Sequence, residues 1–595
     1  MAEQQESRQV QVSELAETMA AIAESSQKLL RDCAQRGGRV NGHDPDPLKL
    51  HRTFLELTTR LMTDPQTLVQ AQVSLWQDYL RLWQHTTQRM LGCNPDPVAE
   101  PERGDRRFRD PAWEENALFD FIKQSYLLTS RWLVDTVNEV DGFDDKTRAK
   151  VDFYTRQFVD AMAPSNFVAT NPEVLRTTLD SHGENLLKGL RHLLEDLEKG
   201  RGKLAIKMTD TEAFELGRNL GLTPGKVVFQ NDLIQLIQYQ PTTAQVYERP
   251  LLIVPPWINK YYILDLQPKN SFVKWAVDEG FTVFVISWVN PDEGFADKSF
   301  DDYLSEGTLA AIQAVLDATG QKDLNAIGYC LGGTLLACTL AWMAAKGDRR
   351  VKAATFFASL VDFEDPGELG VFIDEEQLQS MDDMMAEKGY LDGRAMATTF
   401  NMLRANDLIW SFVINNYLLG KEPFPFDLLY WNSDSTRMPY AMHSFYLRKF
   451  YQENKLIEPG GITLGGVPID LRAVDVPVYL LSTREDHIAP WTSTYAATQI
   501  YRGDTTFVLA GSGHIAGVIN PPTVEKYGYW TGSKLPPDPD AWLAGAEKQP
   551  GSWWPHWRDW NAEKSGRKVK ARHPGDGRLE VIEDAPGSYV KRRAV

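Results

Sequence analysis

Cysteine is scarce in this sequence. The 595 residues include four cysteines, Cys33, Cys93, Cys330 and Cys338, and no two of them form a Cys-x-x-Cys pair. This excludes a disulfide-stabilised scaffold, and we expect reduced thiols in a cytoplasmic protein. A free, reactive cysteine is therefore chemically possible.

Long apolar runs and an excess of basic residues are also missing. No segment approaches the roughly 18 consecutive apolar residues of a membrane span. Residues 1–30 have no basic region ahead of an apolar stretch, so no secretory signal is expected. The chain has 63 basic and 81 acidic residues, and its formal charge of -18 repels phosphate backbones. We therefore expect neither a transmembrane segment nor a nucleic acid partner.

Apolar and aromatic residues are abundant, and the chain is too long for one ordinary core. Up to about residue 203 the pattern is helical. Within one stretch, five large residues recur at the spacing of a helix face: Leu75, Trp76, Tyr79, Leu80 and Trp83. We expect residues 1–203 to form a mainly helical domain that packs on the remainder or dimerises.

Residues 204–595 have a different texture, in which short apolar runs alternate with helical stretches. Six runs predict strands, over residues 250–256, 281–289, 324–329, 352–360, 476–482 and 505–510. Continuous apolar strands interleaved with helices indicate an α/β domain whose mainly parallel sheet is covered on both faces. Residues 362–475 instead indicate helices and loops, an insertion placed where a cap over an active site would lie.

The segment Gly328-Tyr329-Cys330-Leu331-Gly332 has the pattern of a nucleophile elbow with cysteine in place of serine. An apolar strand precedes it and an apolar helix follows, which is the context that this motif requires in the α/β-hydrolase fold. The helix N-terminus stabilises an anion, which suits a thiolate nucleophile. The alternative is that Cys330 is an inert cysteine in a tight strand-helix junction. Cys338 lies inside the following helix, and we interpret it as a small core residue.

An acid and a base follow in the chain order of this fold. Asp486 follows the strand predicted at 476–482, and His514 lies in a glycine-flanked loop after the strand at 505–510. His487 is a rival base. Adjacent residues at a strand end point in opposed directions, which favours His514 over His487 as the partner of Asp486 and the thiol.

A proline-containing loop follows the strand at 250–256. In this fold such a loop supplies one backbone N–H of the oxyanion hole, and the residue after the nucleophile, Leu331, supplies the other. We expect the first donor to be Trp257 or Ile258. The alternative is a connector without a catalytic role.

The sequence resembles the class I polyhydroxyalkanoate synthases from about residue 110 to its end. Jointly specific motifs carry the resemblance, whereas the elbow alone indicates only the α/β-hydrolase fold. The motifs are "DPAWEENALFDFIKQSYLL", "PPWINKYYILDLQPKNSFVKW", "GYCLGGT", "NDLIWSFVINNYLLG", "LLYWNSDSTRMP", "EDHIAPW", "SGHIAGVINPP" and "GSWWPHWRDW".

The resemblance implies roles for matching residues. It makes Cys330 the nucleophile that holds the growing chain and His514 the general base. Asp486 is the acidic member, which either orients His514 or activates the 3-hydroxyl of the incoming monomer. Trp431 matches a tryptophan linked to dimer formation. Arg404 is expected to contact a phosphate of coenzyme A (CoA), with a surface ion pair as the alternative.

The activity implied is acyl transfer: polymerisation of (3R)-hydroxyacyl-CoA, with short chains such as 3-hydroxybutyryl-CoA, into polyester with release of CoA. A homodimer at the surface of cytoplasmic polyester granules is expected, without metal or cofactor. One alternative is a cysteine-dependent acyl-CoA thioesterase or hydrolase of the same fold, in which water is the acceptor. Another is a non-catalytic protein that binds or organises the granule.

Overall fold

The computed structural model describes residues 50–63 and 65–594, so Cys33 and the first 49 residues of the expected helical domain lie outside the described residues. The chain divides into two compact units. The first comprises the described residues up to Asp210 together with Phe400–Phe424, and the second comprises Thr211–Thr399 and the residues from Pro425 onwards. Residues 362–475, expected as one insertion, are therefore divided between the units.

The first unit is helical. Its helices before residue 200 are α1 Leu50–Thr63, α2 Pro65–Met90, α3 Ala112–Glu115, α4 Ala117–Asn138, α5 Asp145–Ala161, α6 Pro172–Asp180 and α7 Glu184–Lys199. No helix in the described part of the chain is long and apolar enough to cross a membrane.

Helix α2 packs through only part of the face that its sequence suggests, since Tyr79 packs beside Leu82 and its hydroxyl lies 2.8 Å from that of Thr129. Leu82 is fully buried and packs in a cluster with Leu127 and Leu128 of α4. Trp76 and Trp83 are 64% and 66% exposed. The side of α2 that contacts α4 therefore contains Leu82, whereas the two tryptophans lie on the surface.

The second unit is built on an eleven-stranded sheet. The strands of this unit, including those of three two-stranded sheets, are β1 Gly225–Gln230, β2 Ile234–Tyr239, β3 Gln245–Tyr247, β4 Leu251–Val254, β5 Val283–Trp288, β6 Leu324–Tyr329, β7 Val351–Phe357, β8 Tyr390–Leu391, β9 Met438–Pro439, β10 Thr463–Leu464, β11 Val467–Pro468, β12 Val478–Thr483, β13 Thr505–Ala510, β14 Tyr529–Thr531, β15 Glu547–Gln549, β16 Lys568–Lys570 and β17 Glu583–Asp584. The order in the large sheet is β15-β14-β13-β12-β7-β6-β4-β5-β2-β1-β17.

The six strands predicted from apolar runs form the parallel centre of this sheet, from β13 to β5. The remaining strands extend it at both edges with antiparallel pairings. The sheet is therefore mixed rather than mainly parallel. The edge strands escaped prediction because they are short or alternate polar with apolar residues, as in "IQLIQY" of β2.

Helices cover both faces of the sheet. Along β4 and β5, alternate residues enter two separate hydrophobic clusters: Leu252 and Phe284 join one, and Leu251 and Val283 join the other. This is the period of two that a strand with two buried faces requires. The helices that include residues of this unit are α8 Phe272–Asp278, α9 Phe300–Asp302, α10 Ala310–Thr319, α11 Leu331–Ala345, α12 Glu375–Lys388, α13 Gly393–Leu403, α14 Asp427–Ser433, α15 Tyr440–Tyr446, α16 Trp491–Tyr495, α17 Ala497–Ile500, α18 Pro539–Gly545 and α19 Trp554–Glu563.

The turn from β6 into α11 is packed too tightly for side chains. A Cβ on Gly328 would lie 2.4 Å from the Cα of Gly333. A Cβ on Gly332 would lie 2.2 Å from the carbonyl oxygen of Val254, at the end of β4. These glycines let the helix begin directly against the strand ends, so the residue between the strand and the helix stands at the carboxyl edge of the sheet.

Gly332→Ala tests this packing. We expect it to lower the free energy of unfolding by about 2 kcal/mol or more, because the new methyl group meets backbone atoms that cannot rotate away. Gly545→Ala is the control, since a Cβ at Gly545 meets nothing within 4 Å. Urea unfolding of both variants measures the difference, and equal midpoints would contradict the account of the turn.

Candidate active site

Cys330 occupies the turn between β6 and α11. Its φ of 51° and ψ of -122° lie in a region that residues with side chains seldom adopt. The Cys330 N–H donates to the Phe357 carbonyl oxygen at 2.8 Å, and the Cys330 carbonyl oxygen accepts from the N–H groups of Gly333 and Thr334. The thiol is free and half-buried at the first turn of α11, whose N–H groups stabilise negative charge.

Asp486 lies beyond the end of β12, with its side chain 0% exposed. One carboxylate oxygen accepts from the N–H groups of Ile488 and Ala489 at 3.0 and 2.9 Å. The other accepts from the Thr483 hydroxyl at 2.9 Å and contacts Nδ1 of His514 at 2.7 Å. Burial alone would raise the pKa of Asp486, but His514 and the backbone donors outweigh it and hold this pKa below its usual value.

His514 is paired with the acid. Its ring is buried, and Nδ1 lies 2.7 Å from the Asp486 carboxylate. Burial lowers the pKa of His514, but the charges of Asp486 and Cys330 and the hydrogen bond to Asp486 raise it well above the usual value. The hydrogen-bonded pair of His514 and Asp486 thus acts on the thiol of Cys330 through its charge, and such an arrangement can move a proton away from sulfur and return it.

Cys338 and His487 have other surroundings than Cys330 and His514. Cys338 is buried within α11, and burial raises the pKa of its thiol. His487 is half-buried next to Asp486, and its carbonyl oxygen accepts from the N–H of Glu368 at 3.3 Å. The carboxylate of Asp486 is hydrogen-bonded to the ring of His514.

Three aromatic side chains without a predicted role fix the loop of His514. The Tyr329 hydroxyl donates to the His514 carbonyl oxygen at 3.1 Å, and the two rings stack at a centroid distance of 5.7 Å. The indole N–H groups of Trp553 and Trp554 donate to carbonyl oxygens further along the same loop, at 2.8 and 2.9 Å. The motif "GSWWPHWRDW" held a signal for the two tryptophans.

A pair of tyrosines also belongs to the surroundings of the thiol. Tyr446 ends α15, and Tyr451 lies in the π-helical turn Leu447–Gln452 that follows. Burial raises the pKa of both hydroxyls; a mutual hydrogen bond and the electrostatic influence of Cys330 also act on each. Residues five apart fall on different sides of an α-helix, but the wider π-turn brings the two rings together at 5.4 Å.

The expected oxyanion donors lie in two adjacent segments. Leu331 begins α11, and within residues 50–63 and 65–594 its backbone N–H has no acceptor. The indole of Trp257 is buried in the core against Tyr303, at a centroid distance of 4.6 Å. Ile258 is half-buried against the same core cluster that contains Leu331. The contact between Gly332 and the end of β4 brings this loop against the elbow.

Two further predicted residues have contacts of their own. Arg404 belongs to the first unit, is half-exposed, and forms an ion pair with Asp407 three residues on. Trp431 is 4% exposed, and its indole N–H donates to the Lys260 carbonyl oxygen at 2.7 Å. Trp431 is therefore an interior residue of its own chain. No group of His, Cys, Asp and Glu among the described residues has the arrangement of a metal site.

Two family models match the chain. The model described as the N-terminus of poly-beta-hydroxybutyrate polymerase (PhaC) matches residues 104–276, and the model of the alpha/beta hydrolase fold matches residues 250–521. The second match and the mixed sheet confirm the predicted fold class.

Three curated relatives are similar over nearly their whole length. The poly(3-hydroxyalkanoate) polymerase of Methylorubrum extorquens is 52% identical over 92% of this chain and 90% of its own. The poly(3-hydroxyalkanoate) polymerase subunit PhaC of Rhizobium meliloti is 50% identical over 91% and 88%. The protein of the same name from Cupriavidus necator is 45% identical over 89% of each chain. Identity of this extent, together with the family motifs around the thiol, places the chain in the poly(3-hydroxyalkanoate) polymerase family.

Proposed function

We propose that this chain polymerises (3R)-hydroxyacyl-CoA thioesters into polyester, through an acyl group carried on Cys330. The observation that carries the proposal is the free thiol of Cys330 at the elbow together with the buried, hydrogen-bonded pair of His514 and Asp486. The relatives named as poly(3-hydroxyalkanoate) polymerases support the class of reaction. Monomers with short side chains, such as 3-hydroxybutyryl-CoA, are proposed from the class I resemblance.

Acylation transfers the monomer from one sulfur to another. His514 takes the thiol proton, and the sulfur of Cys330 attacks the thioester carbonyl carbon. The N–H of Leu331 and one N–H from the loop after β4 stabilise the oxyanion of the tetrahedral intermediate. The bond to CoA sulfur then breaks, and CoA leaves as a thiol with the proton that His514 held.

Elongation forms the ester bond. His514 removes the proton from the hydroxyl of a monomer or of the growing chain, and that oxygen attacks the acyl carbon on Cys330. The carbon-sulfur bond breaks, and the proton passes from His514 to the sulfur. Because a thioester is attacked and an oxygen ester is formed, the step is favourable in the direction of growth. A serine would hold the acyl group as an oxygen ester, no more activated than the bonds of the polymer.

The hydrogen bonds of Asp486 support an orienting role for this residue. Its oxygens accept four hydrogen bonds, and its side chain is inaccessible to solvent. A substrate hydroxyl would have to displace one of these donors. We therefore propose that Asp486 holds Nδ1 of His514, so that Nε2 serves both the thiol and the incoming hydroxyl.

Water must be kept from the acyl group, because hydrolysis competes with elongation. Tyr446 belongs to the hydrophobic cluster against which both Tyr451 and Cys330 pack, and the two tyrosine rings lie 5.4 Å apart. They come from the segment between β7 and β12, where the sequence predicted a cap. We propose that this segment excludes water from the acyl-enzyme.

Association with a polyester granule and with a second subunit completes the proposal. The exposed face of α2, with Trp76, Leu80 and Trp83, offers an apolar surface for the granule. Trp431 remains a proposed determinant of the homodimer, acting from the interior. Arg404 remains a proposed contact for a CoA phosphate, for which Asp407 would have to release it.

Cys330→Ala is expected to lower polymer formation and CoA release by roughly 10³-fold or more, since it removes the acyl carrier. Cys338→Ala is the matched control and should retain activity, because that thiol is enclosed in the core. Chromatography of CoA and the yield of insoluble polyester measure both. A soluble hydroxy acid as the product of the unmodified protein would indicate a thioesterase instead.

Asp486→Asn separates the two roles of the acid. An orienting role predicts that the first CoA release, in a single turnover, slows by about 10³- to 10⁴-fold together with polymerisation. Activation of the monomer hydroxyl alone predicts a normal first release and a defect only in elongation. Glu485→Gln, at an exposed neighbouring carboxylate, should behave as the unmodified protein.

His514→Gln and His487→Gln form a pair that identifies the base. Loss of the His514 ring should slow acylation by roughly 10³-fold, because it removes the proposed acceptor of the thiol proton. His487→Gln should acylate within about twofold of the unmodified rate. The reverse pattern, measured by rapid-quench release of CoA, would assign the base to His487.

A further inference from the structure

Beneath the loop that follows β4 lies a buried ion pair that the mechanism does not use. Lys260 and Asp434 are each 3% exposed at the side chain, and Nζ lies 2.7 Å from the carboxylate. The other carboxylate oxygen accepts from the Tyr262 hydroxyl at 3.0 Å. Burial lowers the pKa of Lys260 and raises that of Asp434, while their mutual attraction opposes both shifts.

The ion pair belongs to a larger set of contacts. We call residues 431–436, at and after the end of α14, the clamp. The Trp431 indole N–H donates to the Lys260 carbonyl oxygen at 2.7 Å. The Thr436 hydroxyl donates to the Trp257 carbonyl oxygen at 2.5 Å. Both bonds hold backbone carbonyl groups of the same loop.

The loop is held from two sides. An isolated antiparallel β-bridge joins Asn259 to Ser435 of the clamp. On the elbow side, the carbonyl oxygens of Val254 and Pro255 lie against the backbone at Gly332. Residues 254–260 are thus fixed between the clamp and the first turn of α11.

Because the peptide bond is planar, the contacts that hold a carbonyl group of this loop also set the direction of the next N–H group. The carbonyl of Trp257 and the N–H of Ile258 belong to one rigid trans peptide and point in opposite directions. A hydroxyl that fixes the Trp257 carbonyl therefore also fixes the Ile258 N–H, which faces away from the clamp. Removing an ion pair from water is costly, and an apolar pair of similar volume can be as stable. A definite backbone orientation is what the polar arrangement adds.

We propose that the clamp is a positioning device for the oxyanion hole, in which Thr436, supported by the Lys260–Asp434 pair, aims the N–H of Ile258 at the oxyanion formed on the Cys330 adduct. Ile258 is thereby preferred to Trp257 as the donor. This inference rests on the proposed acylation of Cys330. Thr436 and Asp434 act through the loop and do not touch the substrate.

Thr436→Val is the direct test, because it removes the hydroxyl and keeps the volume. We expect kcat for CoA release to fall about 10- to 100-fold, with KM changed by less than about twofold, since an oxyanion donor acts mainly in the transition state. Alkylation of Cys330 by iodoacetamide should keep its rate, because the thiol and His514 are untouched.

Thr339→Val is the matched control. Thr339 is buried in α11, and its hydroxyl lies 2.7 Å from that of Thr308. Thr339→Val should lower the unfolding midpoint about as much as Thr436→Val does, but it should leave kcat unchanged. Asp434→Asn provides a second route to the clamp and should give the same kcat defect as Thr436→Val in whatever fraction folds.

Normal kcat in folded Thr436→Val and Asp434→Asn would overturn the inference. Equal losses of kcat in Thr436→Val and Thr339→Val would also overturn it, because they would reduce the clamp to a contribution to stability. Failure of the proposed function has a different signature, namely that the unmodified protein releases no CoA from (3R)-3-hydroxybutyryl-CoA.

Discussion

The site depends on the left-handed backbone of Cys330. That conformation costs free energy for any residue with a side chain, and it persists only where the surroundings determine it. Here the surroundings are the glycines of the turn, the backbone contact with the end of β4, and the hydrogen bond from the Cys330 N–H to β7. The strained turn lifts the sulfur above the sheet edge and sets it at a helix N-terminus.

The burial of Asp486 determines the electrostatics of the site. A carboxylate with no access to water remains ionised only if donors replace the water, and Asp486 has four. The ionised carboxylate in turn holds a proton on Nδ1 of His514 and raises the pKa of the ring. Asp486 thus orients the His514 ring and raises its pKa from a position that is closed to solvent.

The sequence predicts those parts of the protein that have a local pattern, such as an apolar run or a motif with a fixed chain order. Apolar runs predicted all six parallel strands, because strands buried on both faces have few polar residues. Chain order and spacing named Cys330, Asp486 and His514 as the candidate site, and in the structure His514 is hydrogen-bonded to Asp486. These roles remain proposals until tested by substitution.

Other features depend on tertiary contacts without a local signal. The edge strands are short and partly polar, and the outward side of α2 carries Trp76 and Trp83. Thr483 orients Asp486 from an ordinary strand position. The pairing of Tyr446 with Tyr451 requires a π-turn, which residue spacing alone does not indicate. Trp431 matched a dimer motif, whereas its hydrogen bond lies within its own chain.

The central claim is that the growing chain is held as a thioester on Cys330. Mass spectrometry of the protein, quenched in acid after mixing with (3R)-3-hydroxybutyryl-CoA and then digested, tests this most directly. The account predicts that the peptide containing Cys330 gains the mass of one or more hydroxybutyryl units, and that hydroxylamine removes them. Polyester formation without any acylated Cys330 peptide, or with the acyl group on another residue, would contradict it.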